Sequence, residues 1–465
     1  MRILPASLCA AAIGLALTVA PAQAMPTVHE YELDNGMRIL VRPDQRADVV
    51  ISQLWFPVGS SHERQSMTGI SHALEHMMFK GTENRETGEF SRTISREGGR
   101  LNAFTGRDYT AYHEQLQADR LEIALELEAD RLANIIFDEE EFANELEVVR
   151  EERRQVVDSN PVRVALERFH ALAWHTHPYR NPIIGWPSDL DVMTLDDIRD
   201  WYERWYGVNN ATLVVVGNVD PDQVRDLAER HFGPLEPREA PEVRELQEVE
   251  PLGERRAVVR QPRATPYMVM GWPVPSLSTA EDESESYALS LLSRILDGGR
   301  SARFAENVIR GTDIAASAGS SYNAITRLDT MFYVDGRPTP DSDLDQLEET
   351  LRAEVQRVID EGVTSAELDR ARIQARADYL YRLDSLFAQG MEIGTLETTG
   401  IGWRAMETFD DALDSVAVED IQAVAERYFR DDRITVVHLL PDNGAAPSRP
   451  AETPDPAAEP QPHSH

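Results

Sequence analysis

The chain predicts an α+β fold of two homologous domains, each a mainly antiparallel sheet flanked by helices. Three observations carry this. Its 465 residues are too many for one ordinary domain. The segment LDDIRDWYERWYGVNNATLVVV (195–216) matches VEDIQAVAERYFRDDRITVVHL (418–439) without a gap, at an offset of 223, so that Ile198 falls on Ile421 and Thr212 on Thr435. In both copies an amphipathic helix ending in aromatics leads into a β-branched strand. Near the start of each half, FPVGS (56–60) corresponds to WPVPS (272–276), at an offset of 216. The chain divides accordingly: 1–24 a secretory signal, 25–235 the first domain, 236–254 a Pro- and Glu-rich linker, 255–442 the second domain, and 443–465 a Pro-, Ala- and Glu-rich tail expected to lack fixed structure.

The leader comes first. Arg2 supplies the positive start, Leu8–Ala20 a short apolar run, and Ala22-Gln23-Ala24 a cleavage site. The run is too short to span a bilayer, so no stable membrane insertion is expected. The one cysteine, Cys9, lies inside the leader, so the mature chain uses no disulfides in an oxidising compartment. A bacterial periplasm fits these features. The formal charge of −35 argues against nucleic acid or anionic membrane as partners and is compatible with cationic or unfolded peptides. The single lysine, Lys80, reads as a consequence of composition.

The first chemistry-bearing segment is His72-Ala73-Leu74-Glu75-His76. On a helix, residues four apart share a face, so both imidazoles reach one metal ion, with Glu75 beside a metal-bound water. Two neutral imidazoles and a carboxylate suit Zn²⁺, one per chain. The order inverts the commoner H-E-x-x-H. Chance occurrence in such a chain is roughly a few per cent. A solvated helical face is the plainer reading. Against it, Ile70, Ala73, Leu74, Met77, Met78 and Phe79 make a largely apolar helix, expected to run from an N-cap at Thr68 to a C-cap at Gly81. Polar groups buried on such a helix need a partner. A third ligand is required, and DEEEFANELEVVREERRQVV (138–157) offers Glu145 or Glu152, two turns apart on one helical face.

With these residues in view, the chain resembles the insulinase/pitrilysin family of zinc peptidases, which includes the mitochondrial processing peptidases. The matching stretches are HALEHMMFKGT (72–82), GGRLNAFTGRDYTAYH (98–113), LEVVREERR (146–154) and NPIIGWPSDL (181–190). The resemblance implies metal ligands His72, His76 and Glu152, with Glu145 orienting the site from behind. It implies Glu75 as general base, and Asn102, Ala103, Phe104 and Thr105 as an edge strand that pairs with the substrate backbone. The implied activity is zinc-dependent hydrolysis of peptides or unfolded polypeptides, in half of a peptidase chamber. Many family members also carry an Arg and a Tyr about seven residues apart in a half without metal. Here Arg310 fits the arginine, but Ser317, next to Ala316, stands where the tyrosine is expected, and Tyr322 lies too far along. A sister subunit carrying the Arg/Tyr pair is the expected partner, as a heterodimer, with a homodimer the alternative. The rival functions are a non-catalytic assembly subunit, against which the intact metal set speaks, and a maturation protease dedicated to one peptide.

The remaining histidines take plainer readings. His175 and His177 suit a loop or domain-packing role, His113 a structural one, and His463 and His465 in the tail are discounted as ligands. Trp174, Trp186, Trp201 and Trp205 are expected in the core or an interface. At the offset of 216, Ala288, Leu291 and Leu292 stand opposite His72, Glu75 and His76, and the second domain is expected to be structural or to wall the chamber.

Overall fold

A computed structural model of the protein describes residues 27–239, 243 and 248–442. The leader, most of 240–247 and the tail with its two histidines lie outside the described residues. The first half contains strands β1 (His29–Glu32), β2 (Arg38–Pro43), β3 (Val49–Phe56), β4 (Arg100–Thr105), β5 (Thr110–Gln117) and β6 (Thr212–Gly217), in the sheet order β1-β2-β6-β3-β5-β4. The second contains β7 (Arg255–Gln261), β8 (Tyr267–Val274), β9 (Ala315–Ser321), β10 (Thr330–Pro338) and β11 (Thr435–Pro441), in the order β7-β11-β8-β10-β9.

Without β1 the two orders are the same, and so are the strand directions. In each sheet one pair is parallel, β2 with β6 and β7 with β11, and the rest are antiparallel. Register makes the repeat explicit. Trp55 pairs with Thr212 in the first sheet, and Gly271 with Thr435 in the second. These pairs unite the two sequence offsets in one structural equivalence.

The central strands β3 and β6 are apolar almost throughout, and nearly every residue is buried. Such a run needs cover on both faces. One face of each sheet is covered by helices of its own half: in the first Ile70–Met77 (α1), with Glu139–Arg153 (α2) packed on it in turn, and in the second Glu283–Asp297 (α4), with Ser365–Arg382 (α5) packed on it. The other faces are covered by exchange. Helix α3 (Pro161–Ala173) belongs to the first half, yet packs on the second sheet, with Ala165 and Phe169 among Val269, Val437 and Leu439. Helix α6 (Leu386–Thr398), from the second half, packs on the first sheet, with Ile393 and Leu396 among Ile51, Trp55, Val214 and Val216.

The exchange is matched side chain for side chain. Phe169 meets Gly271, where an added Cβ would stand 3.0 Å from the ring. Gly394 meets Trp55, where an added Cβ would stand 2.0 Å from the indole. Large and small thus trade places between equivalent positions, and each sheet keeps close packing with the opposite partner. Asp108, buried in the β4–β5 turn, further ties the halves together. It accepts from Ser61 Oγ at 2.8 Å, from the Tyr179 hydroxyl and from the backbone N–H of Arg327 at 3.2 Å.

Candidate functional site

Helix α1 is amphipathic by design of its spacing. Ile70, Ala73, Leu74 and Met77 enter the core, which leaves His72, Glu75 and His76 on the face toward α2 and β4. Its start differs from the sequence expectation. The N-cap is Gly69, in the left-handed conformation at φ 86°, and not Thr68. Gly69 lies against Gly185, itself at φ 85°, so closely that a Cβ on either would strike the other's backbone. Thr68 is used one step earlier, donating to Asp189 Oδ2 at 2.6 Å and accepting from the Trp186 N–H at 2.9 Å. The buried Glu63 carboxylate takes the free N–H groups of Gly69 (2.8 Å) and Ser71 (3.0 Å) at the helix start. The helix ends at Met77 with Met78 as C-cap, so Gly81 lies beyond it and does not cap it.

Helix α2 begins at Asp138, which caps the N–H groups of Glu140 and Glu141. Phe142, Leu146 and Val149 are buried, and Glu145 and Glu152 face α1. Directly after it, Arg154–Asp158 widen into a π turn. Val156 and Val157 from this turn line a cleft of about 450 Å³ with His72, Glu75, Phe104 and Glu152.

His72 Nε2 lies 3.6 Å and His76 Nε2 3.4 Å from Glu152 Oε2, and the three ligand atoms all fall within 4.8 Å of one another. Tetrahedral Zn²⁺ with bonds of about 2.0–2.1 Å needs neighbouring ligand atoms about 3.3 Å apart, so this donor set fits a zinc ion. Burial, with His76 adding to it, pushes the His72 imidazole down to about 3, which keeps it neutral as a ligand must be. Its Nδ1 is buried without a hydrogen-bond partner. His76 Nδ1 lies 3.1 Å from Glu145 Oε2. With the proton on Nδ1, the Nε2 lone pair faces Glu152. The other Glu145 oxygen accepts from Lys80 Nζ at 2.5 Å, and Lys80 also pairs with Glu141 at 3.3 Å.

Glu75 sits between α1 and the edge strand. Its Oε2 accepts from Thr105 Oγ1 at 2.5 Å. Burial raises its carboxyl above the ordinary range, the Thr105 bond and His76 oppose the rise, and Glu152 adds to it. A raised carboxyl beside a donor set that fits a metal ion has the chemistry a general base would require. Asn102, Ala103, Phe104 and Thr105 all lie on β4, which pairs with β5 at the margin of the sheet.

The second half holds different groups at the equivalent place. Ala288, Leu291, Leu292 and Ile295 of α4 are buried as Ile70, Ala73, Leu74 and Met77 are in α1. The helices therefore correspond at an offset of 218, two residues from the sequence alignment. Ser290, Ser293 and Arg294 stand opposite His72, Glu75 and His76, and Arg294 pairs with Asp378 at 2.5 Å. Arg310 is half-exposed and donates to the Arg300 carbonyl at 2.5 Å. Ser317 is exposed on β9, and the Tyr322 hydroxyl donates to the Pro275 carbonyl at 2.7 Å. His175, Thr176 and His177 give their backbone N–H groups to Glu248, and His177 stacks on Trp174. His113 packs against the rings of Phe104 and Phe387. Sequence reasoning missed Asp189 and the Gly69–Gly185 contact, which act across long sequence separations, and Glu63, which acts on the helix start only a few residues on; it also passed over Lys80, whose uniqueness was visible.

A model of the insulinase family, peptidase family M16, matches residues 38–186, and one described as the inactive domain of peptidase M16 matches residues 193–375. The zinc protease PqqE of Helicobacter pylori is 29% identical over 427 residues, covering 90% of this chain and 94% of that protein. The crystal structure of a protease from Helicobacter pylori superposes with a TM-score of 0.84 at 28% identity, over 90% of this chain and 100% of that one. The periplasmic protease PqqL of Escherichia coli is similar in fold, with a TM-score of 0.77 at 18% identity, over 90% of this chain and 48% of that longer one.

Proposed function

We propose that this chain, which belongs to the insulinase family of peptidases (family M16), is a zinc-dependent metalloendopeptidase acting on peptides or unfolded polypeptides. The observation that carries the reading is the convergence of His72, His76 and Glu152, within 4.8 Å of one another, beside a Glu75 held at the edge strand by Thr105. His72, His76 and Glu152 would hold the zinc. When bound, the ion supplies Lewis acidity toward water and toward the scissile carbonyl. Glu75 takes a proton from the attacking water with one carboxylate oxygen while Thr105 steadies the other. It then returns that proton to the leaving amine nitrogen. Glu145 holds the Nδ1–H of His76. The free edge of β4 at Asn102–Thr105 pairs with an extended peptide through its backbone, which favours broad selectivity.

Two further parts of the reading rest on other features. The leader at residues 1–24 supports a periplasmic location, and no helix among the described residues is long and apolar enough to cross a membrane. A sister subunit that supplies the Arg/Tyr pair is supported by the exposed Ser317 and by a Tyr322 hydroxyl already engaged with Pro275. The decisive experiment is zinc analysis and a peptide-library digest of the mature chain, with and without a co-purified sister, alongside Glu75→Gln. The variant should keep about one zinc per chain and lose roughly 10²–10⁴-fold in turnover. Near-normal turnover in Glu75→Gln would remove the base, and a chain that binds no zinc would remove the reading itself.

A further inference from the structure

We propose that Lys80 is a positioning residue for the ligand His76, acting through Glu145 as an ammonium clamp; this rests on the metal reading above. The geometry is a three-member chain. Glu145 uses Oε1 to accept from Lys80 Nζ at 2.5 Å and Oε2 to meet His76 Nδ1 at 3.1 Å. Each oxygen is committed, so the carboxylate plane, and with it the imidazole it faces, is fixed. Lys80 is itself held: it lies in the turn after α1, its side chain is 15% exposed, and Glu141 meets it from the other side at 3.3 Å.

Composition gives independent weight. The chain has 46 Lys and Arg residues, and every one except Lys80 is arginine. A sequence that uses arginine for all its other cations carries its one ammonium four residues from a ligand histidine. The chemistry of the place explains the choice. Glu141 and Glu145 are one turn apart on α2 and approach one point from two directions. A compact ammonium with three tetrahedral donors bridges them, whereas a planar guanidinium would pair with one carboxylate through its fork and reach past the other.

The clamp differs from two simpler roles in the sign of its effects. If Lys80 only balanced charge, removing a cation near a dication would tighten zinc binding. If it only supported the fold, its loss would lower the stability of the metal-free protein. A clamp predicts weaker zinc binding at unchanged metal-free stability, because partners behind a ligand typically contribute about 10–100-fold in metal affinity.

The test titrates metal-free mature protein with Zn²⁺ against a competing chelator, and follows urea unfolding of the same metal-free samples. Lys80→Met should weaken zinc about tenfold, the low end of that range for a residue one step further back, and Lys80→Arg should also weaken it. In a Glu145→Ala background, Lys80→Met should cause no further loss. Because Lys80 is the only lysine, amine acylation followed by mass spectrometry reads it alone among side chains, and Glu145→Gln should speed its modification several-fold. Equal or tighter zinc binding in Lys80→Met, or a loss that persists without Glu145, overturns the clamp while leaving the metal site intact. If the wild-type chain binds no zinc, or His76→Ala binds it as well as wild type, the metal reading fails and the clamp with it.

Discussion

The exchanged helices make a quantitative prediction about how the halves are locked. An ideal Cβ on Gly394 would stand 2.0 Å from Trp55 Cε2 and 2.4 Å from Cζ2 and Nε1. Carbon atoms prefer about 3.5–4.0 Å, so ring or helix must give by roughly 1.5 Å. The ring is wedged between Phe104 and Tyr109, with centroids 5.5 and 5.2 Å away. Gly394→Phe should therefore cost at least about 3 kcal/mol, the upper end for overpacking. Trp55→Gly empties the same space and should cost about 3–5 kcal/mol. The double variant Trp55→Gly/Gly394→Phe rebuilds the Gly271–Phe169 arrangement of the second half. If the positions were independent, the losses would add to roughly 6 kcal/mol or more. If they are one knob and one hole, at least half of that should be recovered, a coupling of about 3 kcal/mol. Urea unfolding of the zinc-free protein measures all three. A double variant as unstable as the sum of its parts would refute the equivalence and the packing argument built on it.

Three more expectations follow from the site. Stripping zinc with a chelator should leave the far-UV spectrum unchanged, since Glu63 and the Gly69–Gly185 contact hold α1, while zinc at a hundredfold excess over its Kd should add about 2.7 kcal/mol to the unfolding free energy. Thr105→Val removes a hydrogen bond to a carboxylate; kcat/KM should fall about tenfold, and its acid limb should move to higher pH, because that bond lowers the Glu75 carboxyl. Burial raises the Glu63 carboxyl from 4.5 to about 7, so the folded state holds its proton more tightly than the unfolded chain does. The resulting stability is present below about pH 4.5 and is lost as pH rises through about 7. Glu63→Gln should flatten that slope in urea unfolding followed across the window.

Which of these features a sequence displays depends on the range of the force that makes them. The four-residue spacing of His72 and His76 is a local helical property; the segment 138–157 offered Glu145 or Glu152 as a third ligand, and the resemblance chose Glu152, with Glu145 behind it. The repeat was legible because both copies preserve a helix running into a buried strand, and Trp55–Thr212 and Gly271–Thr435 show the two offsets in one register. The helix start was misread because Thr68 has the chemistry of an N-cap, whereas Gly69 is forced into the left-handed region by Gly185, more than a hundred residues away. The slip of two residues in α4 has the same origin. Extra chain in the loop before that helix leaves no local mark, and only the burial of Ala288, Leu291, Leu292 and Ile295 reveals it. An amphipathic pattern says which face of α3 or α6 is buried, and is silent about which sheet buries it.

The second half contributes to the first through packing. The outer face of the first sheet, with Leu40, Ile51, Trp55, Val214 and Val216, has α6 as its cover, and α6 belongs to the second half. Trp55 in turn packs on Phe104, in the same strand as the Thr105 that holds Glu75. The chain of contact from α6 to the proposed base thus runs through two rings, Trp55 and Phe104, and one strand. Asp108 closes a second route, since the turn that ends β4 is pinned to Arg327 of the other half. The second half has Ser290, Ser293 and Arg294 where the first has His72, Glu75 and His76, and neither route depends on that difference, because both rest on packing and on Asp108. The half with Ser290, Ser293 and Arg294 at the equivalent positions therefore still braces the strand whose Thr105 holds Glu75.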